Sequence, residues 1–157
     1  MSGKEIFDYE ILKKNGVLLN RYLGYKDAIK AYSKKTILMG EDISYDGGLK
    51  IGKNLSNRQD VTAVFCTADI MAAGIIEGLR NNNKSVPNDI SIIGFDDLPI
   101  SSYIFPKLTT IRQENELKVK KSVQLLMELI KGERVEQNSL ILDVNIVERD
   151  SVKYLLE

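Results

Sequence analysis

The feature that most constrains the fold of this chain is an alternation of short apolar runs with longer segments of helical periodicity. The runs are nearly all apolar and are bounded by turn residues, as expected for strands that are buried on both faces. We predict strands at residues 36–39, 61–66, 90–95, 108–112 and 140–147. In the longer segments apolar residues recur three and four positions apart, which predicts helices at residues 21–34, 46–55, 69–82 and 114–131. This alternation indicates an α/β fold, a mostly parallel sheet flanked by helices.

The composition excludes several classes of function. The 157 residues contain no His, which removes a His-centred triad, a His general base and His-ligated zinc. Cys66 is the single Cys and lies in an apolar run, so we interpret it as a buried core residue. The 22 Lys and Arg residues balance 22 Asp and Glu residues, which argues against a nucleic-acid footprint over the whole chain. No glycine motif for phosphate binding is present, and we predict no cofactor and no metal.

The sequence shows no pattern of membrane insertion or export. No apolar run approaches the roughly 18 residues that a transmembrane helix needs. The first residues lack a signal-peptide pattern. A single Cys also fits a reducing compartment. We therefore predict a cytoplasmic protein without a membrane partner.

Acidic side chains follow several of the predicted strands. In an open α/β sheet, ligands bind beyond the carboxyl ends of the strands, so these positions are candidates for a site. Asp69 opens a predicted helix, and we interpret it first as the N-cap, with ligand contact as a second role. For Asp96 and Asp97 two roles stay open: they shape a turn, or they accept hydroxyl groups of a polyol.

Five segments together resemble the effector-binding domain of the lactose-repressor (LacI) family of bacterial transcription regulators. They are residues 21–28 (RYLGYKDA), 61–74 (VTAVFCTADIMAAG), 86–97 (VPNDISIIGFDD), 106–113 (PKLTTIRQ) and 147–151 (VERDS). Their order and spacing also fit the family, and they cover nearly all of the chain from Arg21 onward. The resemblance implies the fold of type I periplasmic sugar-binding proteins, of which this chain would form one lobe.

The resemblance also implies roles for single residues. Arg21 matches the arginine that reaches the effector from a helix start, and Asp96 matches the strand-end carboxylate that takes sugar hydroxyls. Gln113 matches the residue at the last crossover between the lobes, near the ligand. Asp69 matches the acid that follows the effector-contacting Asn of the family.

Two positions depart from the family pattern. The effector-contacting Asn is replaced by Ala68, which removes one hydrogen-bonding group. The aromatic residue that often stacks on the sugar is replaced by Ile43. The expected effector site therefore consists of Arg21, Asp96, Gln113, Asp69 and Ile43.

The resemblance implies a division of the chain into four parts. We expect a partial or irregular initial segment at 1–20, the second lobe of the effector-binding domain at 21–113, a helix that in the family packs on the first lobe at 114–132, and a final strand with its tail at 133–157. The helix-turn-helix and most of the first lobe of the family have no counterpart in this sequence. The apolar stripe of the helix at 114–132 then needs a partner, and we predict a homodimer or a shifted packing.

We therefore expect the effector-sensing and dimerisation portion of a LacI-type repressor, which binds a small polar, sugar-like ligand. It would reach operator DNA only through a helix-turn-helix that this sequence lacks. The alternative is a solute-binding module of a transport system. An enzyme that uses Asp96 and Asp97 as a hydrolytic pair is disfavoured, because adjacent strand residues point to opposite faces.

Overall fold

The computed structural model describes residues 15–32, 36–132 and 140–154. The helices are α1 (Gly16–Lys30), α2 (Tyr45–Ser56), α3 (Asp69–Arg80), α4 (Ile100–Tyr103) and α5 (Asn115–Ile130), and the strands are β1 (Ala63–Phe65), β2 (Ser91–Asp96), β3 (Thr109–Gln113) and β4 (Val144–Val147). Over these ranges the sheet has the order β1-β2-β3-β4. The first three strands are parallel, and β4 runs antiparallel to β3. The predicted α/β fold with a mostly parallel sheet is confirmed.

Helices cover both faces of the sheet. Val64 packs against the core formed with α2 and α3. Because successive strand residues point to opposite faces, Phe65 points the other way. There Tyr25 of α1 stacks on the Phe65 ring, with 5.8 Å between the ring centroids.

The main core lies between the sheet and the α2–α3 pair. Its most deeply buried apolar side chains are Leu55, Ile75, Leu79, Ile92 and Leu108. Cys66 is buried at the end of β1, as predicted. Burial raises the pKa of the Cys66 thiol to about 11, so the thiol stays protonated at neutral pH.

Glycines allow α2 and α3 to touch along their backbones. Gly48 and Gly52 of α2 lie against Gly74 and Gly78 of α3. A Cβ atom on Gly48 would collide with the carbonyl oxygen of Met71, and no flexible side chain is there to move aside. Glycine normally weakens a helix interior. Here the close backbone contact requires it.

Asp97 binds the last described segment, residues 140–154, to the sheet. Its Oδ1 accepts a hydrogen bond from Nη2 of Arg149 at 2.6 Å, and its Oδ2 accepts one from Nε of Arg112 at 2.6 Å. Arg149 also donates from Nη1 to the carbonyl oxygen of Leu108 at 2.7 Å. Burial acts to raise the pKa of Asp97, but the hydrogen bonds from Arg149 and Arg112 outweigh it and hold the pKa below its ordinary value.

Three predicted strands differ clearly from the structure, and the one predicted at 61–66 is shortened to Ala63–Phe65. Residues 36–40 are not part of the sheet, although Met39 packs against the main core. The strand predicted at 140–147 is shortened to Val144–Val147. The reason is that Val144 pairs with Gln113, the last residue of β3, so the four residues before it have no strand to pair with.

The helix ends also differ from the prediction in part. The helix predicted at 21–34 is α1, which begins at Gly16 because the side chain of Asn15 caps it by accepting from the Leu18 amide at 3.2 Å. Residues 1–14, 33–35, 133–139 and 155–157 lie outside the described part of the chain, and with them most of the initial segment predicted at 1–20. The short helix α4 was not predicted. In the described ranges, no helix has the length and hydropathy to cross a membrane.

The outer edge of β1 borders an apolar cavity of about 190 Å³. Ser91 donates its amide to the Thr62 carbonyl, and Cys66 donates its amide to the Ile93 carbonyl. By the alternation of a parallel ladder, the backbone groups of Ala63 therefore face away from β2, as do those of Phe65. Among the described residues, no other strand pairs with this edge.

The close contact between α2 and α3 predicts that a methyl group added to one of its glycines lowers the stability of the fold. Gly74→Ala should lower the free energy of unfolding by about 1–3 kcal/mol, because the added Cβ meets the Tyr45 carbonyl oxygen and forces the helices apart. Urea denaturation followed by circular dichroism measures this. The control is Gly24→Ala on α1, where no atom lies within 4 Å of the new Cβ, and which should be neutral or stabilising. Equal urea midpoints for the two variants would contradict the close-contact argument.

The depressed pKa of Asp97 predicts a loss of stability in acid. A carboxylate whose folded pKa lies below its unfolded value, about 3.9, stabilises the fold fully above that value and loses its contribution as the pH falls through the folded pKa. We expect Asp97→Asn to cost about 2 kcal/mol at pH 7, the typical contribution of hydrogen bonds to a charged group. The difference from wild type should shrink below about pH 4.

Denaturation curves at a series of pH values test this. Asp27→Asn is the matched control. Both side chains of the Lys30–Asp27 ion pair are exposed, so removing this carboxylate should change the free energy of unfolding little. A gap between wild type and Asp97→Asn that stays constant down to pH 3 would refute the assignment.

Candidate functional site

The strand β2 ends in a sharp corner formed by two consecutive acidic residues. Asp96 has φ 108° and Asp97 has φ 53°, both in the left-handed region that residues other than glycine rarely adopt. Such conformations persist where the surrounding structure holds them, and they concentrate at functional sites. The corner turns the two side chains toward different partners.

The Asp96 carboxylate is the point where three elements meet. Gln113, at the end of β3, donates from Nε2 to Oδ1 of Asp96 at 2.6 Å. Arg21 of α1 donates from Nη2 to the same oxygen at 3.4 Å. The structure thus brings together three of the residues that the sequence analysis selected: Arg21, Asp96 and Gln113.

Arg21 is held in place by more than its ion pair. Its Nη1 donates to the carbonyl oxygen of Thr67 at 2.5 Å, and its guanidinium lies 3.7 Å from the centre of the Phe95 ring. A cation over an aromatic face is attracted by the ring electrons, more strongly when it is shielded from water. The Arg21 side chain is only 16% exposed. The arginine is therefore oriented before any ligand arrives.

One oxygen of the Asp96 carboxylate is available for a ligand. Within the described ranges, Oδ2 of Asp96 has no hydrogen-bond partner, and the side chain is 24% exposed. A carboxylate oxygen accepts hydrogen bonds from hydroxyl groups, and a charged acceptor makes stronger bonds than a neutral one. The arrangement can therefore orient a small molecule with hydroxyl groups.

Asp69 lies beneath the corner and is not the helix N-cap, so that prediction is wrong. Ala68 is the N-cap residue, and Asp69 is the first residue of α3. The Asp69 carboxylate is fully buried, with Oδ1 accepting from the Thr110 hydroxyl at 2.6 Å and Oδ2 accepting from the Leu98 amide at 2.7 Å. Burial raises the pKa of Asp69, and these two hydrogen bonds act against that rise. Both oxygens are bonded inside the protein.

Ile43 lies apart from the Asp96 carboxylate, on the wall of the apolar cavity beside β1. Its side chain is about half exposed, just before the Ser44 cap of α2. Thr67 lines the same cavity and also accepts the hydrogen bond from Arg21, so the cavity and the corner adjoin at Thr67. Ala68, which replaces the family Asn, is buried.

The sequence analysis missed two residues that orient Arg21. Thr67 acts through its backbone carbonyl, which no residue-type pattern reveals. Phe95 stands directly before Asp96, and an aromatic residue next to a strand-end carboxylate could have marked a platform for a cation. Arg149, which matches the last family segment, binds Asp97 rather than a ligand.

The geometry does not form a hydrolytic carboxylate pair. Asp96 faces Arg21 and Gln113, whereas Asp97 faces Arg112 and Arg149. In the part of the chain that the structure describes, no group of three or more acidic or Cys side chains is placed to hold a metal ion.

Comparison with known proteins identifies the family. The model of the periplasmic binding protein-like domain matches residues 11–152. The regulator MalR of Clostridium butyricum is 38% identical over 152 residues, 94% of this chain and 45% of the relative. The ribose operon repressor of Haemophilus influenzae is 32% identical over 88% of this chain and 43% of the relative. The chain thus spans less than half the length of these curated relatives.

Solved structures give the same result for the fold. The regulator CcpA of Lactococcus lactis superposes with a TM-score of 0.78 at 30% identity, over 85% of this chain and 50% of that one. The complex of the regulator CelR with cellobiose superposes with a TM-score of 0.79 at 30% identity, over 85% and 42%. A LacI-family regulator of Enterococcus faecium with bound ribose superposes with a TM-score of 0.80 at 34% identity, over 87% and 52%.

These relatives are transcription regulators. The resemblance inferred from the five sequence segments is confirmed. The chain belongs to the periplasmic binding protein-like domain family, and its relatives within that family are LacI-type transcription regulators.

Proposed function

We propose that this chain is the effector-sensing part of a LacI-type transcriptional repressor and that it binds a small, sugar-like ligand at Asp96. The observation that carries the proposal is the Asp96 carboxylate, which Arg21 and Gln113 hold through one oxygen while the other oxygen stays open. Two structural relatives were solved with sugars, cellobiose and ribose. A hydroxyl-rich ligand suits both the site and these relatives.

The ligand would be oriented by charge and enclosed by apolar surface. Asp96 accepts hydroxyl groups through Oδ2, and Arg21 holds that carboxylate in position. The apolar cavity adjoining at Thr67 offers Ile43 and Tyr22 to the non-polar face of a ligand. With Ala68 at the position of the usual Asn, the ligand makes one hydrogen bond fewer, and we expect modest affinity.

Control of transcription would act through a change in the populations of two arrangements of the lobes of the effector-binding domain. An effector that binds one arrangement more tightly shifts the equilibrium by that difference in affinity. DNA contact belongs to the helix-turn-helix for which the relatives are named, and this chain has no net charge to attract DNA by itself. We place the protein in the cytoplasm, where such a regulator meets operator DNA, and we assign it no enzymatic activity. No observation favours a transport module over a regulator.

We also propose that the chain forms a homodimer through α5. The helix has no buried residue, and its apolar stripe is exposed. The stripe consists of Val119, Val123, Leu126, Met127 and Ile130. An apolar surface of this kind on a protein in water is usually covered by a partner. A second copy offers the same surface, as two-fold symmetry requires.

The effector site predicts a selective loss of ligand binding. Ribose or cellobiose should raise the melting temperature of the wild-type chain, because a ligand that binds the folded state alone stabilises it. Asp96→Asn should weaken binding about tenfold or more, since a hydrogen bond to a charged group contributes about 1.5–3 kcal/mol. Asp27→Asn on α1, far from any predicted ligand contact, serves as the control and should bind as wild type does. The proposal fails if neither sugar shifts the melting temperature of the wild type, or if Asp96→Asn keeps the full shift.

The dimer predicts a concentration-dependent mass in sedimentation. Val123→Glu should raise the dissociation constant of the dimer about a hundredfold or more, because an unpaired charge buried in an interface costs roughly 3–5 kcal/mol. Lys121→Glu, a charge change on the same helix outside the apolar stripe, should leave the dimer intact. A wild-type chain that sediments as a monomer at all concentrations would exclude the dimer.

A further inference from the structure

We propose that Asp69 is a positioning residue that holds the Asp96–Asp97 corner in the conformation that presents Asp96 to Arg21 and Gln113. Its biological use rests on the proposed function, whereas the positioning itself rests on the geometry of the corner alone. Asp69 is fully buried and touches no ligand space, so it acts through the residues that it binds.

The Asp69 carboxylate is connected to the corner by two routes. Oδ2 accepts the amide of Leu98, the residue directly after the two left-handed residues, at 2.7 Å. Oδ1 accepts the hydroxyl of Thr110 on β3 at 2.6 Å. The same Thr110 oxygen accepts the amide of Asp97 at 3.4 Å. The backbone of residues 97 and 98 is therefore tied to Asp69, once directly and once through Thr110.

The corner needs such a tie because its backbone is strained. Asp96 has φ 108° and Asp97 has φ 53°, and non-glycine residues keep these values only when neighbouring groups hold them. Without the two bonds to Asp69, the amide of Leu98 would be left without its acceptor beneath the sheet. The corner would then relax, and the Asp96 side chain would move relative to Gln113.

Two further features show that the space is shaped for a carboxylate. Gly94 of β2 lies against Asp69, and a Cβ there would collide with Oδ1 of Asp69. Both partners of Asp69, the Leu98 amide and the Thr110 hydroxyl, are donors. An ionised acid supplies an acceptor to each, whereas the amide of an Asn has one acceptor and turns its own N–H groups toward the other partner.

Nuclear magnetic resonance of the full chain tests this without a ligand. The reporter is the side-chain amide of Gln113, whose Nε2 donates to Asp96 at 2.6 Å. In Asp69→Asn we expect its resonance to move toward that of a free glutamine amide and its protons to exchange with water at least tenfold faster. Thr110→Val should do the same, and Thr110→Ser, which keeps the hydroxyl, should restore the wild-type signal.

A matched control separates positioning from stability. Ile75→Val lies on the same helix as Asp69 in the buried core, and it should lower the melting temperature without moving the Gln113 signal. An Asp69→Asn chain that is folded and keeps the wild-type Gln113 signal overturns the proposal. If Asp69→Asn does not fold, the Thr110 pair decides, and equal Gln113 signals in Thr110→Val and Thr110→Ser overturn it.

The outcome is independent of the proposed function. If the wild-type chain binds no sugar but the Gln113 signal moves in Asp69→Asn, the positioning role is supported and sugar sensing is not. If the wild-type chain binds sugar but the Gln113 signal does not move in Asp69→Asn, sugar sensing is supported and the positioning role is overturned.

Discussion

The structure depends on the divergence of two adjacent carboxylates at the end of β2. Asp96 turns toward Arg21 and Gln113, and Asp97 turns toward Arg112 and Arg149. The left-handed backbone of the corner makes this divergence possible. Asp96 belongs to the candidate site while Asp97 binds the segment that contains β4, so the candidate site and the closure of the sheet share a single local conformation. A change in the partners of either carboxylate is expected to affect the other carboxylate through the single peptide unit that joins Asp96 to Asp97.

The candidate-site residues that could be predicted are those whose position follows from the family resemblance or from the topology of the sheet. Arg21, Asp96 and Gln113 follow from the family segments, and Asp96 also follows from the rule that ligands meet the carboxyl ends of parallel strands. Asp69 could not be assigned correctly, because capping is a local rule and its true partner, Thr110, lies 41 positions along the chain. The strand predicted at 36–39 is not formed, since an apolar composition does not by itself bring a segment into hydrogen-bond register with a strand edge.

The folded core is concentrated in one part of the described chain. The buried apolar side chains come from α2, α3, β2 and the residues that flank the parallel strands, whereas α5 contributes none. The site lies at the boundary of this core, and its three members come from α1, β2 and β3. Because α1 has no buried residue, its position depends strongly on the bonds of Arg21 and on the stack of Tyr25 on Phe65.

Among the residues that the structure describes, no strand pairs with the outer edge of β1, and this gives the contacts of α1 a second role. A strand that leaves amides and carbonyls without partners is a template onto which another polypeptide can extend the sheet, and such templates promote aggregation. Tyr22 and Tyr25 of α1 line the cavity along that edge, and Arg21 pins the helix there. The contacts that orient Arg21 therefore also hold α1 over part of the β1 edge.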